Sequence, residues 1–352
     1  MTPTLTLFSA PKPFTNTHIR TIQRNAIQSW LALGPEVKVI LIGAEAGLAE
    51  TAAELGVQHL PDVRRNPSGT PLVSSIFEMA LQASDSPLMA YINADILVQP
   101  NFLTGARQAA AQRSRFLLVG QRMDLDVRTP IDFGRGSHPV EGSASHPVEG
   151  SALPLRRTLG VSHPVEGVEC GWVERLQADL AARGRLHTRG GSDYFIYPRL
   201  CFTRVPDFAI GRAGWDNWMI YEARRQGWAC VDATETIQIV HQDHDYSHLP
   251  QGQAHYRLPE TFENVRLAGG KRTIFTLVDA DYRLNNGVLL PAQISPEKFW
   301  RDVETFPLLR LRSYPLAQLT YALLNPKHAW FDLRNWLKMR SRDTLSRGGG
   351  GK

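Results

Sequence analysis

Cysteine is nearly absent from this 352-residue chain. Cys170, Cys201 and Cys230 are the only three, an odd number without the spacing of a metal-binding cluster. A disulfide framework and a cysteine zinc site are therefore not expected; buried small side chains in a reducing compartment are. Long apolar runs are missing too, and none approaches the length that spans a bilayer. Met1–Phe14 lacks the basic segment and apolar stretch of a secretory leader. The expectation is a cytoplasmic, soluble protein, at most peripheral at the inner face of a membrane. A net charge of +5 and a pI near 9.2 would suit anionic partners. The excess is scattered arginine, however, and no recognisable nucleic-acid-binding motif accompanies it, so nucleic acid is not an expected partner.

The chain has an ordinary globular composition, 43% hydrophobic and 21% charged. Its length suffices for one embellished α/β domain or two small ones. From the N-terminus, strands and helices alternate. Strands are expected at Thr4–Ser9, Val37–Gly43, Val57–Leu60 and Leu88–Ile92, and helices at Thr17–Leu33, Ala44–Leu55 and Pro71–Ala83. Such alternation predicts a mainly parallel sheet with crossover helices, whose ligands sit beyond the carboxyl ends of the strands. Phe116–Gly120 reads as a further strand extended by Met123–Val127, and Trp172–Arg183 as a helix. Tyr194–Tyr197 reads as a strand, Asp216–Gln226 as a helix and Ile237–Val240 as a strand delivering His241 to the sheet edge. Arg272–Val278 and Val288–Leu290, around Asn285-Asn286-Gly287, suggest a hairpin.

Ser-His-Pro-Val-Glu-Gly occurs three times, from Ser137, Ser145 and Ser162. Unequal spacing and a scarcity of large apolar residues favour a dispensable surface loop, residues 134–167, over a metal site. The expected organisation is a domain over residues 1–290 with that insert, a helical extension over 291–347 and a disordered tail over 348–352. In the extension Trp330, Leu333 and Leu337 form an apolar stripe beside Arg334, Lys338, Arg340 and Arg342. A helix packed on the domain is the plainer account; peripheral membrane contact is the alternative.

The chemistry lies in Tyr91-Ile92-Asn93-Ala94-Asp95, Gly214-Trp215-Asp216-Asn217-Trp218 and His241-Gln242-Asp243-His244-Asp245. Asp95 follows an apolar strand, where a carboxylate is costly unless paired or bound to a cation; a capping turn is the bland alternative. A strand-end carboxylate and a distant imidazole can hold a divalent metal such as Mn2+ or Mg2+. In an extended segment His241 and Asp243 share one face and His244 points away, so His244 is the weaker ligand candidate. Asn93 could ligate through its carbonyl or hydrogen-bond a ribose hydroxyl. Asp216 begins a helix, as an N-cap, a general base or both. Trp215 could stack on a sugar ring or belong to the core. Thr70, Ser74 and Ser75 open a helix whose amides and hydroxyls could meet a diphosphate, or could simply cap it.

At these residues the chain resembles nucleotide-sugar-dependent glycosyltransferases of the GT-A fold, broadly the family-two-like group. It looks closest to bacterial glycosyltransferase-like proteins that share Gly-Ser-Asp-Tyr-Phe (191–195), Gly-Arg-Ala-Gly-Trp-Asp-Asn-Trp (211–218) and His-Gln-Asp-His-Asp-Tyr-Ser-His (241–248). The resemblance runs from about Leu5 to Leu290, without the insert. It implies a Rossmann-type, mainly parallel mixed sheet flanked by helices, a nucleotide-sugar donor, and a glycan, lipid or small-molecule acceptor. Asn93-Ala94-Asp95 stands where the family has a metal-binding Asp-x-Asp, with Asn93 in place of the first aspartate. Asp95 then inherits the metal role, His241 the late-ligand role and Asp216 the base role in an inverting transfer. Ser192 and Asp193 would help hold donor sugar or acceptor. Two other classes compete. A non-catalytic nucleotide-sugar-binding protein would lack the base. A metal-dependent phosphoester hydrolase would need two bridged metals, and the sequence displays no second coherent ligand set.

Overall fold

Residues 3–134, 171–244, 258–331 and 334 are described by the computed structural model. Leu5-Thr-Leu-Phe-Ser is buried at every position and forms β1 (Leu5–Ser9). Asn16 opens α1 (Thr17–Leu31) by accepting from the Ile19 amide, a typical N-cap arrangement. β2 (Val37–Ile42) follows. The expected helix from Ala44 begins later, as α2 (Leu48–Leu55), because Gly47 at φ 80° turns the chain first. Only glycine suits that turn: a Cβ there would also lie 3.0 Å from the Phe14 side chain. Next come β3 (Gln58–Leu60), α3 (Val73–Gln82), β4 (Leu88–Ile92) and the short β5 (Ile96–Leu97).

The chain continues through α4 (Asn101–Gln112), β6 (Phe116–Val119), β7 (Arg122–Leu125), α5 (Trp172–Arg183), β8 (Arg185–Leu186) and β9 (Tyr194–Pro198). It closes with α6 (Trp215–Arg225), β10 (Ala229–Asp232), β11 (Ile239–Gln242), α7 (Pro259–Leu267), β12 (Tyr282–Asn285), β13 (Val288–Pro291), α8 (Pro296–Leu309) and α9 (Tyr314–Leu324).

Nine strands form one sheet in the order β13-β12-β10-β6-β9-β4-β1-β2-β3. Its pairs are parallel except where β9 runs against β4 and β6 and where β12 turns into β13. A small second sheet, β5-β11-β7-β8, stands beside it. The expected α/β fold, a mainly parallel mixed sheet flanked by helices and followed by a helical extension, is therefore present. Period-two alternation divides the core between the two faces. Leu5, Leu7, Ala90 and Ile92 join Ala26, Trp30 and Phe102 on one side. Phe8, Met89 and Tyr91 join Ile76, Phe77, Trp215 and Met219 on the other. Each large side chain so buried contributes roughly 1.5–3 kcal/mol.

Several expectations change. Met123–Val127 does not extend the Phe116 strand: the chain breaks at Gly120 and starts β7 in the second sheet, paired with β11. A Cβ at Gly120 would lie 2.6 Å from the Tyr194 hydroxyl, so the bend needs glycine. The hairpin arms are Tyr282–Asn285 and Val288–Pro291. Asn286 and Gly287 make its turn at φ 48° and 79°, the positive pair such tight turns require. Arg272–Val278 instead contains the 3-10 turns Lys271–Thr273 and Leu277–Asp279. Helices α4 and α7 were not expected. Cys201 and Cys230 are buried and free. The repeats at 137–167, Cys170, the stripe positions Leu333, Leu337, Lys338, Arg340 and Arg342, and the tail 348–352 lie outside the described residues. Among those described, no helix is long and apolar enough to cross a membrane.

Candidate active site

Asp95 sits in the turn between β4 and β5, at the carboxyl edge of the large sheet. The turn is closed by the Ile96 amide donating to the Asn93 carbonyl at 3.2 Å. β11 lies antiparallel to β5, His241 opposite Ile96, and so carries His241 to the same corner. Asp95 Oδ2 lies 3.0 Å from His244 Nε2 and 4.0 Å from His241 Nε2. Ligand atoms from Asp95, His241 and His244 all fall within 4.8 Å of one another. The extended-chain reading that turned His244 away does not hold, since β11 ends at Gln242 and strand alternation stops before His244. His244 folds back instead, its ring 5.4 Å from that of His241.

Lys12, three residues beyond β1, completes the corner. Its Nζ is 3.1 Å from His244 Nε2 and 3.7 Å from Asp95 Oδ2. The single Nε2 can serve only one of these neighbours at a time. Burial alone would push the Asp95 carboxyl up. The His244 hydrogen bond and the adjacent Lys12, His241 and His244 charges outweigh it and hold Asp95 well below the usual carboxylate range. His241 is pushed down by burial, towards the neutral, ligating form. Asp95 Oδ1 remains buried without a hydrogen-bond partner, an arrangement that costs about 1–3 kcal/mol or more unless a cation meets it.

The other edge of His241 faces Asp124, next to it across β7–β11, with Nδ1 3.2 Å from Asp124 Oδ1. That contact lacks hydrogen-bond geometry, since His241 Nδ1 is left without a partner. Asp124, His241 and Asp243 form a second group of metal-capable atoms, which the sequence did not reveal. Other side chains already answer its carboxylates: Arg122 Nε donates to Asp124 Oδ1 at 2.8 Å, His187 Nδ1 is 2.9 Å from Asp124 Oδ2, and Arg185 reaches Asp243 at 3.0 Å. A cavity of ≈ 390 Å³ opens among Arg122, Asp124, His187, His241 and His244. A larger one of ≈ 680 Å³, around Arg115, Arg199, Phe202 and Trp228, lies at the amino ends of β4 and β6, away from these groups.

Asn93 is turned into the protein. Its Nδ2 donates to Asp193 Oδ1 at 2.8 Å, and its Oδ1 accepts from the Tyr91 hydroxyl at 3.1 Å. Asp193 also receives Arg122 NH1 at 2.9 Å on both oxygens. An aspartate at 93 would set two carboxylates against each other, which accounts for asparagine there. Asp193 and Ser192 are buried, so Asp193 braces the corner rather than presenting a free carboxylate to a ligand.

Asp216 lies in the first turn of α6 behind Gly214, which occupies the cap position at φ 107°. The Gly214 amide donates to Asp216 Oδ1 at 3.2 Å. Burial pushes the Asp216 carboxyl up to about 6, against the pull of nearby amides and with help from the Asp193 charge. Burial also pushes the Tyr91 phenol up, reinforced by the charges of Asp95, Asp193 and Asp216; the three carboxylates thus surround one side chain. Trp215 is a core residue, its ring edge-on to Tyr91 at 5.0 Å and 5.4 Å from Phe195. It offers no open face to a sugar. The helix-opening hydroxyls are likewise engaged. Ser74 donates to Asp207. Ser75 accepts from the Arg64 amide at 3.0 Å. The Thr70 hydroxyl bonds Glu260.

Sequence reasoning missed Lys12, Arg122, Asp124, His187 and Glu45. Glu45 follows β2 and leaves Oε2 buried and unpartnered, as Ser9 at the end of β1 leaves its Oγ. With Asp95 they place three unanswered oxygens at the carboxyl ends of adjacent strands β2, β1 and β4. The strand-end rule, applied to every strand rather than to β4 alone, would have found Lys12 and Glu45.

No protein-family model matches the chain, and no curated protein does. Solved structures with a similar chain trace include glucosyl-3-phosphoglycerate synthase from Mycobacterium tuberculosis, in complex with Mg2+ and UDP. It is 14% identical at a TM-score of 0.42, covering 76% of this chain and 80% of that one. A mannosyltransferase from Pyrobaculum calidifontis, in complex with GDP-Man and Mn2+, is 10% identical at 0.39, over 70% and 59%. S. aureus TarS is 12% identical at 0.27, and the match spans 38% of this chain and only 39% of the TarS chain. The functional reading rests on the site's own residues.

Proposed function

We propose that the chain is a glycosyltransferase that moves a sugar from a nucleotide-sugar donor to an acceptor hydroxyl, with inversion and with a divalent cation. The observation that carries this is the buried, unpartnered Asp95 Oδ1 beside His241 and His244. One carboxylate and two imidazoles suit Mn2+ better than Mg2+, which prefers oxygen ligands throughout, and a cation would answer the orphan oxygen. Bound there, the cation would supply charge neutralisation for a leaving nucleoside diphosphate.

The chain's own groups do the rest. Asp216, ionised above about pH 6, takes the proton from the acceptor hydroxyl as that oxygen attacks the anomeric carbon. Lys12, whose Nζ is 3.7 Å from Asp95 Oδ2, would offer its ammonium to the same leaving-group oxygens. Glu45 Oε2 and Ser9 Oγ supply acceptors for donor hydroxyls along the sheet edge. Asn93, Asp193 and Arg122 hold the Asp95 turn in place, and Ser192 lies beside them.

The second metal-capable group is what a hydrolase would draw on, but Arg122, His187 and Arg185 already occupy its carboxylates. The test is incubation with a panel of UDP-, GDP- and ADP-sugars and Mn2+, with mass spectrometry of the products. Release of nucleoside diphosphate from one donor, lost in Asp216→Asn, supports transfer. Cleavage of simple phosphodiesters with all sugar nucleotides left intact contradicts it.

A further inference from the structure

The helical extension buries one side of each helix and leaves the other bare. On α8, Arg301 ties the inner side down through Asp279 at 2.8 Å, and Leu308 is buried. On α9, Ala317 is buried and Tyr321 lies under the Arg272 guanidinium, 3.3 Å from its ring centre. The outer stripes follow helical spacing. Phe299, Val303 and Phe306 stand on α8, and Leu316, Leu319 and Leu323 on α9, exposed by 37–72%. No residue of α9 is charged, and Trp330 and Phe331 beyond it are 67% and 62% exposed. A soluble helix normally turns charge outwards, and a patch of this kind marks a contact surface.

Charge identifies what it meets. Arg310 and Arg312 are exposed in the turn between the two helices, and Lys327 just beyond α9. From Lys327 onward the sequence holds seven Lys and Arg against two Asp. The acidic groups of α8 are answered locally, Asp302 by Lys298 and Glu304 by Arg301, with Glu297 3.9 Å from Arg189. A second copy would bring the same positive rim against this one. An anionic bilayer surface satisfies both features: its headgroups meet the basic rim, and its acyl boundary takes the leucine and phenylalanine stripes. We propose that the outer face of α8 and α9 docks the protein on an anionic membrane surface, lying on it rather than crossing it. This surface stands independently of the chemistry assigned to Asp95 and Asp216.

The experiment is co-sedimentation of the full chain with phosphatidylcholine vesicles and with vesicles of equal parts phosphatidylcholine and phosphatidylglycerol. The triple variant Phe306→Glu, Leu319→Glu, Leu323→Glu, its fold checked by circular dichroism, runs in parallel with light scattering of both proteins. The proposal predicts partition onto the anionic vesicles that weakens with salt and falls at least about tenfold in the variant. Three results would overturn it: no binding to either vesicle, equal binding to both, or a solution dimer that the variant dissociates without any vesicle binding.

Discussion

Asp95 and Asp216 are two carboxylates that both reach the buried Tyr91 electrostatically, yet their environments drive them apart. Lys12 and His244 crowd Asp95, and its acidity rises despite burial. Among the described residues Asp216 has amides but no cation at hand, and burial pushes it up to about 6. One group is therefore a permanent anion with an unanswered oxygen, which is what a metal ligand requires. The other exchanges its proton near neutrality, which is what a general base requires. Pairs separated in this way are what the two proposed roles call for.

The largest expected effect comes from removing that contrast. Asp216→Asn should lower kcat by about 10²–10⁴ and abolish the acid limb near pH 6 that a wild-type pH–rate profile should display. Its stability effect has the opposite sign. The folded-state pKa is raised, so the penalty is absent below the ordinary carboxylate range, grows as pH rises from there to about 6 and is complete above it. At pH 8 the variant should be more stable, on the order of 3 kcal/mol in urea denaturation. Equal stability across that window would place Asp216 in water.

Asn93→Asp extends the contrast to a third carboxylate. It replaces a hydrogen bond of 2.8 Å to Asp193 by a like-charge contact and should destabilise the protein by about 1–3 kcal/mol. Adding Asp193→Asn should restore part of the loss. A stable Asn93→Asp protein that gains metal affinity would instead make the asparagine incidental. Lys12→Met removes the tethered cation that a metal must displace, and should tighten Mn2+ binding by about tenfold while lowering kcat. The smallest effect is expected at Ser74→Ala, below about twofold in donor KM, because that hydroxyl is spent on Asp207. A tenfold change would return the α3 opening to the donor site.

Much of the sheet was legible because its first strands are short, mostly apolar runs separated by amphipathic helices. β1, β2 and β4 fall where their hydrophobic runs stop, and Asp95 could be placed at a ligand edge from β4 alone. Elements that break local rules were not legible. α4 carries Gly105, which weakens the helical pattern; a Cβ there would come within 2.7 Å of the Ile237 side chain, so tertiary packing rather than propensity put it there. β7 looked like a continuation of β6 because a two-residue break at Gly120 and Gln121 leaves no periodic signal. The cluster around Asp95 joins Lys12, Asp124, His187 and His244 from four separate stretches, a proximity that only the sheet topology creates. The sequence left Trp215 open between a stacking surface and a core residue, because an aromatic beside an acid reads alike in a core and in a cleft.

The most direct test of the account is calorimetric titration of Mn2+, with UDP or GDP present, into wild type and Asp95→Ala. The account predicts a single Mn2+ site in the wild type that strengthens diphosphate binding and is lost in Asp95→Ala. Mn2+-independent diphosphate binding that survives the substitution would contradict the assignment of Asp95, His241 and His244 as the cation site.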